Sequence, residues 1–132
     1  MREFSEELIH DYDKVVMAGL PNAGETTLSR RCTDRFVLHL DSLLIDYGHK
    51  AVPKVACQIL NKYPRYLAEG CQGARLVRFM LRGGLSLPDL FIWVGSLNPG
   101  PGSPGVYQQT VTIFHQIRPL LKPEQVMFVQ GI

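Results

Sequence analysis

The chain has 132 residues, 45% of them hydrophobic, which is enough for one core and too little for two domains of ordinary size. Fourteen basic and 12 acidic residues leave a formal net charge of +2, which does not by itself indicate nucleic-acid binding, since that normally needs a concentrated basic face. No apolar run is long enough to cross a bilayer, so no membrane partner is expected, and the opening Met-Arg-Glu-Phe-Ser-Glu-Glu lacks the pattern of a secretory signal.

Taken in chain order, Ser5 to Tyr12 reads as a short acidic helix with Phe4, Leu8 and Ile9 on one side. Lys14-Val-Val-Met-Ala-Gly19 is an apolar run that stops at a glycine-rich turn, the pattern of a buried strand, and a helix is predicted from Thr26 to about Cys32. Phe36-Val-Leu-His-Leu40 predicts a second strand that delivers Asp41 at its carboxyl end. Val52, Val55, Ala56, Ile59, Leu60 and Tyr63 recur at helical spacing, with Pro53 suited to the first turn and Pro64 ending the run. Tyr66 to Glu69 predicts a third strand. Gly73 to Leu81 predicts a helix with Ala74, Val77 and Leu81 inward, closed by Gly83-Gly84.

Leu90-Phe-Ile-Trp-Val94 predicts a fourth strand, with Trp93 in the core. The loop Asn98-Pro-Gly-Pro-Gly-Ser-Pro-Gly105 has no regular pattern and is expected to be mobile without ligand. Val106, Val111, Ile113, Phe114, Ile117, Leu120 and Leu121 then outline a longer helix, and Val126 to Val129 a fifth strand. Continuous apolar strands separated by amphipathic helices imply an α/β fold. It is expected as a three-layer parallel sheet of about five strands with helices on both faces, the first strand central, in one domain over residues 1–132.

Cys32, Cys57 and Cys71 are odd in number and widely spaced, and read as buried thiols in a reducing, cytoplasmic setting. His10, His39, His49 and His115 make no metal pair by spacing, and no G-x-S-x-G elbow is present, so metal-hydrolase and serine-hydrolase readings lose. Arg75, Arg78 and Arg82 fall on one helical face, which is usually a solvated stripe.

The strand before Gly19 runs into Gly19-Leu-Pro-Asn-Ala-Gly24-Glu-Thr-Thr27 and on into a helix. Read from residues alone, this is either an ordinary strand-to-helix turn or a phosphate cradle in which loop amides point at an anion. The loop resembles G-x-x-x-x-G-K-[ST] of P-loop NTPases, matching at Gly19, Gly24 and Thr26, with Glu25 in place of the lysine. In element order the chain is similar to small nucleoside and nucleotide kinases. That resemblance implies a phosphate site for ATP at Gly19, Asn22, Ala23, Gly24, Glu25, Thr26 and Thr27, with Thr26 and Glu69 toward Mg²⁺. It also implies Asp41 as acceptor-binding acid or catalytic base, and Arg75 as a grip on the acceptor phosphate or a partial stand-in for the lysine.

The plainer roles are a helix cap for Asp41 and a turn acid for Glu69. Glu25 would repel phosphate oxygens, although an acid in the first helical turn is favourable toward the helix dipole when the loop is empty. The expectation is an ATP- and Mg²⁺-dependent phosphotransferase-like protein impaired by Glu25, acting on a small-molecule phosphate acceptor. The alternative is a non-catalytic nucleotide-binding, regulatory or structural protein that retains the fold. A homodimer is compatible with either.

Overall fold

The computed structural model describes residues 2–132 and is built on one parallel sheet of five strands in the order β2-β3-β1-β4-β5. The strands are β1 (Lys14–Gly19), β2 (Phe36–His39), β3 (Tyr66–Glu69), β4 (Leu90–Val94) and β5 (Val126–Val129). β1 lies at the centre, pairing Val16 with Ala68 on one side and with Phe91 on the other. Every strand-to-strand connection is a crossover, as parallel pairing requires.

Alternate residues of β1 serve opposite faces of the sheet. Val16 and Ala18 join the larger core cluster, together with Leu60, Leu76, Val77, Met80, Ile113 and Phe114. Those residues come from α3 (Val52–Leu60), α4 (Gly73–Arg82) and α5 (Gly105–Ile117). Val15 and Met17 join the smaller cluster on the other face, under Phe4, Ile9 and Leu28. That face is covered by a 3-10 turn at Glu7–Ile9 and by α1 (Glu25–Ser29), so its layer is much thinner. Trp93 and Phe114 are fully buried, with ring centroids 4.7 Å apart.

All five strands stand where the apolar runs predict them, with β2 one residue shorter at its carboxyl end. The helices need more correction. Ser5 to Tyr12 forms only the 3-10 turn, and α1 stops at Ser29, three residues early. A helix absent from the sequence reading, α2 (Leu40–Tyr47), begins directly after β2 and takes Asp41 into its first turn. Its apolar residues continue the strand's run with no turn residue between, so the change of period is masked. In α4, Leu76 and Met80 are buried while Leu81 is only half-buried. Val106, in the first turn of α5, is exposed, and so is Leu120, which lies beyond the end of α5 in a 3-10 turn at Arg118–Leu120. Cys32 is buried, but Cys57 and Cys71 are half-buried; all three are free thiols. No helix among the described residues is long and apolar enough to cross a membrane.

The Pro/Gly loop after β4 is held by local bonds: the Gly100 amide donates to Asn98 Oδ1 at 2.9 Å, and Ser103 Oγ donates to the Gly100 carbonyl at 2.9 Å and to that of Pro99. Amides from Asn98 to Gly105 are therefore expected to exchange with solvent far faster than those of Phe91 to Val94. Equal protection of the two segments in a hydrogen-exchange time course would contradict this.

Candidate functional site at the carboxyl end of the sheet

β1 ends at Gly19, and the chain turns through Leu20 to Gly24 before α1 begins at Glu25. The turn uses two left-handed residues, Asn22 at φ 67° and Gly24 at φ 103°. Asparagine tolerates this region better than most side chains. At Gly24 conformation and space both favour glycine, because an added β-carbon would lie 2.9 Å from the β-carbon of Ile132. The segment Gln130–Ile132 runs across the loop, with the Ile132 amide donating to the Ala23 carbonyl at 2.9 Å.

Gly19 allows a close approach of another kind. A β-carbon there would stand 2.8 Å from the Val94 carbonyl and 3.0 Å from Glu25 Oε1. The Glu25 side chain thus curls back toward the start of the loop instead of reaching outward. It is 5% exposed, and Oε1 has no hydrogen-bond partner. The Cys71 thiol approaches Oε2 at 3.8 Å. Burial raises the Glu25 pKa to about 7, and the nearby carboxylates of Glu69 and Asp41 push it the same way. Hydrogen bonds from its own main-chain N–H and from Cys71 oppose the rise only in part.

Glu69, at the end of β3, is 1% exposed. It accepts from Thr26 Oγ1 at 3.2 Å on each oxygen, and its Oε1 lies 2.6 Å from His39 Nδ1. Burial raises its pKa, while the bond to His39 pulls it down. Asp41 lies beside it: a β-carbon on Gly70 would stand 3.1 Å from Asp41 Oδ1. Thr26, Glu25, Glu69 and Asp41 therefore gather at one mouth, where ligands of open α/β sheets bind. Thr27 is exposed on α1.

Arg75 is engaged elsewhere. Its guanidinium donates to Gln109 Oε1 at 3.3 Å and lines a hollow with Arg78 and Arg82. His39 and Cys71 belong to the mouth and were not singled out in the sequence. Each follows from position: His39 ends β2 and stands opposite Glu69 in the parallel register, and Cys71 lies in the turn directly after β3, two residues beyond Glu69.

No protein-family model matches the chain, and no curated protein matches it. Among solved structures, the chain is similar to the crystal structure of shikimate kinase from Bacteroides thetaiotaomicron. The TM-score is 0.47 at 14% sequence identity, over 87% of this chain and 84% of that one.

Proposed function

We propose that this chain is a phosphate-loop domain of the small-kinase type that does not transfer phosphate in its present form and serves as a binding or regulatory module. The observation that carries this reading is the Glu25 carboxyl group, buried within the loop with one oxygen unpaired. Its strongest charged neighbours are the carboxylates of Glu69 and Asp41. A polyphosphate placed there would meet three acids and no compensating lysine. The residues present therefore do not fit ATP at this loop. The central β1, with the loop at its carboxyl end, supports the kinase-type frame.

Isothermal titration with Mg·ATP at pH 8, above the Glu25 pKa of about 7, tests this on three proteins. The chain as it stands is expected to bind weakly or not at all. Glu25→Lys is expected to bind at least about tenfold more tightly, equivalent to about 1.4 kcal/mol, because unit charges about 4 Å apart interact by around 4 kcal/mol at an effective dielectric near 20. Glu25→Gln should fall between them, since it removes repulsion without adding a cation. Tight Mg·ATP binding with phosphoryl transfer by the chain as it stands would defeat the proposal, whereas equal affinities for all three, or no binding by any, would mean that the loop is vestigial as a phosphate cradle and leave the regulatory or structural role.

A second reading, an impaired phosphotransferase, draws on the contact between Thr26 and Glu69 and on Asp41 beside them. In that reading Thr26 and Glu69 are the side chains for Mg²⁺, and Asp41 faces a small-molecule acceptor. It requires that Glu25→Lys gain phosphoryl transfer as well as affinity.

A further inference from the structure

Away from this mouth, two hollows lie along the crevice between α3 and α4, and the side chain of Phe79 lines both. The smaller, about 270 Å³, is walled by Lys50, Arg75, Arg78 and Arg82, with His49 at its edge. The larger, about 540 Å³, adds Lys14 and Lys54 over an apolar floor that includes Leu60 and Met80. Among the described residues, no aspartate or glutamate lines either one. In a chain carrying 12 acids and 14 bases, six cations along one crevice without an acid is a marked segregation of charge.

The crevice also leaves those charges unneutralised. Arg75 and Arg78 donate to neutral amides on α5, Gln109 and Gln116, each at 3.3 Å. None of the six cations forms an ion pair among the described residues. Partial burial, together with the charges of Arg82 and Arg75, pulls the Arg78 pKa below its ordinary value, as expected of cations crowded without a counter-ion. In the middle of this row Phe79 is 37% exposed, although its helical neighbours Met80 and Leu76 are buried.

We infer that this crevice binds single-stranded nucleic acid, with successive phosphates on the arginine row and a base stacked on Phe79. Length favours a polymer over a single phosphate group: Arg75 and Arg82 are about 10 Å apart along the helix axis at roughly 1.5 Å per residue, and Lys14 and Lys54 lie in the adjoining hollow. The aromatic ring favours a strand with free base faces over an acidic peptide or a duplex, because a stacked base is held by its π-face in any sequence. The site uses none of the residues around Glu25, so it stands or falls independently of the reading of that loop.

The test is fluorescence anisotropy with a labelled oligodeoxythymidylate of about 12 nucleotides, between about 50 and 200 mM salt. Binding is expected to weaken linearly in log–log form as salt rises. The Arg78→Gln/Arg82→Gln double variant should bind at least about tenfold more weakly, with a salt slope shallower by about 1.4, at roughly 0.7 for each single-strand phosphate that is no longer neutralised. Phe79→Ala should cost about fivefold or more with the slope unchanged. Arg2→Gln, an exposed cation on the edge beside β5, should change nothing.

The inference is overturned if the oligonucleotide fails to bind at the lowest salt, or if the double arginine variant binds it as tightly as the parent. It is overturned equally if inorganic tripolyphosphate or polyglutamate displaces it as well, charge for charge, as an unlabelled strand does. The arginine substitutions lie on the solvent side of α4, so the parent's thermal melt is expected to be kept and the comparison remains decisive even if Phe79→Ala is less stable.

Discussion

Glu25→Gln is expected to stabilise the folded chain at pH 8 by on the order of 3 kcal/mol and to leave it nearly unchanged near pH 4.5. The folded chain holds the Glu25 proton to about pH 7, against an ordinary carboxyl value of 4.5. Each tenfold change in proton affinity is worth about 1.4 kcal/mol. Because the folded value is the higher one, the folded state binds more protons than the unfolded state across this interval. The contribution is complete below about pH 4.5 and is lost as pH rises to about 7. Glutamine matches the protonated carboxyl in shape and has no charge to bury, so the variant lacks that loss. Burial also raises the Glu69 pKa, but Glu69 is common to both proteins and largely cancels. Urea unfolding at the two pH values measures the difference directly. If parent and variant lose stability in parallel between them, Glu25 is not buried as a charge at high pH.

Phe114→Ala is expected to cost about 3–5 kcal/mol, the range for removing a large aromatic side chain from a close-packed core. Phe114 is fully buried and touches the rings of Phe91, Trp93 and Phe128, with centroids 5.8, 4.7 and 5.8 Å away. It thus ties α5 to β4 and β5 at once. Such a loss is a large share of the roughly 5–15 kcal/mol that holds an ordinary domain together. Trp93 is the chain's single tryptophan, so its fluorescence reports unfolding without a label. A loss under about 1 kcal/mol would mean that α5 is not anchored through this ring.

The three inner strands were legible because each is a short apolar run buried along nearly all its length, as at Lys14–Gly19 and Leu90–Val94, whereas the edge strands Phe36–His39 and Val126–Val129 are mostly half-buried and were legible from their apolar and β-branched residues alone. Their parallel sense and the central place of β1 followed from the helices between them. α2 was not legible, since Leu40 extends the apolar run of β2 and Ile45 and Tyr47 are apolar yet exposed. At the mouth, residue types could place Gly19, Gly24, Thr26 and Glu69 together by analogy. They could not show which way Glu25 points, because that depends on the space left by a missing β-carbon at Gly19. The basic crevice was half legible. The spacing of Arg75, Arg78 and Arg82 places them on one face, but Lys14, Lys50 and Lys54 join them only through tertiary packing.

The central position of β1 bears on how the chain emerges from a ribosome. Val15 lies beside Leu67 and Leu90 in the finished sheet, the latter 75 residues downstream. At roughly 5–20 residues per second, β1 waits about 4 to 15 s for its second neighbour. Through that interval Val15-Val16-Met17-Ala18, all fully buried at the end, is an apolar segment with open hydrogen-bonding edges. The nascent chain is therefore most exposed to misassociation before β4 has been made, and slower translation across residues 70–90 would lengthen that exposure.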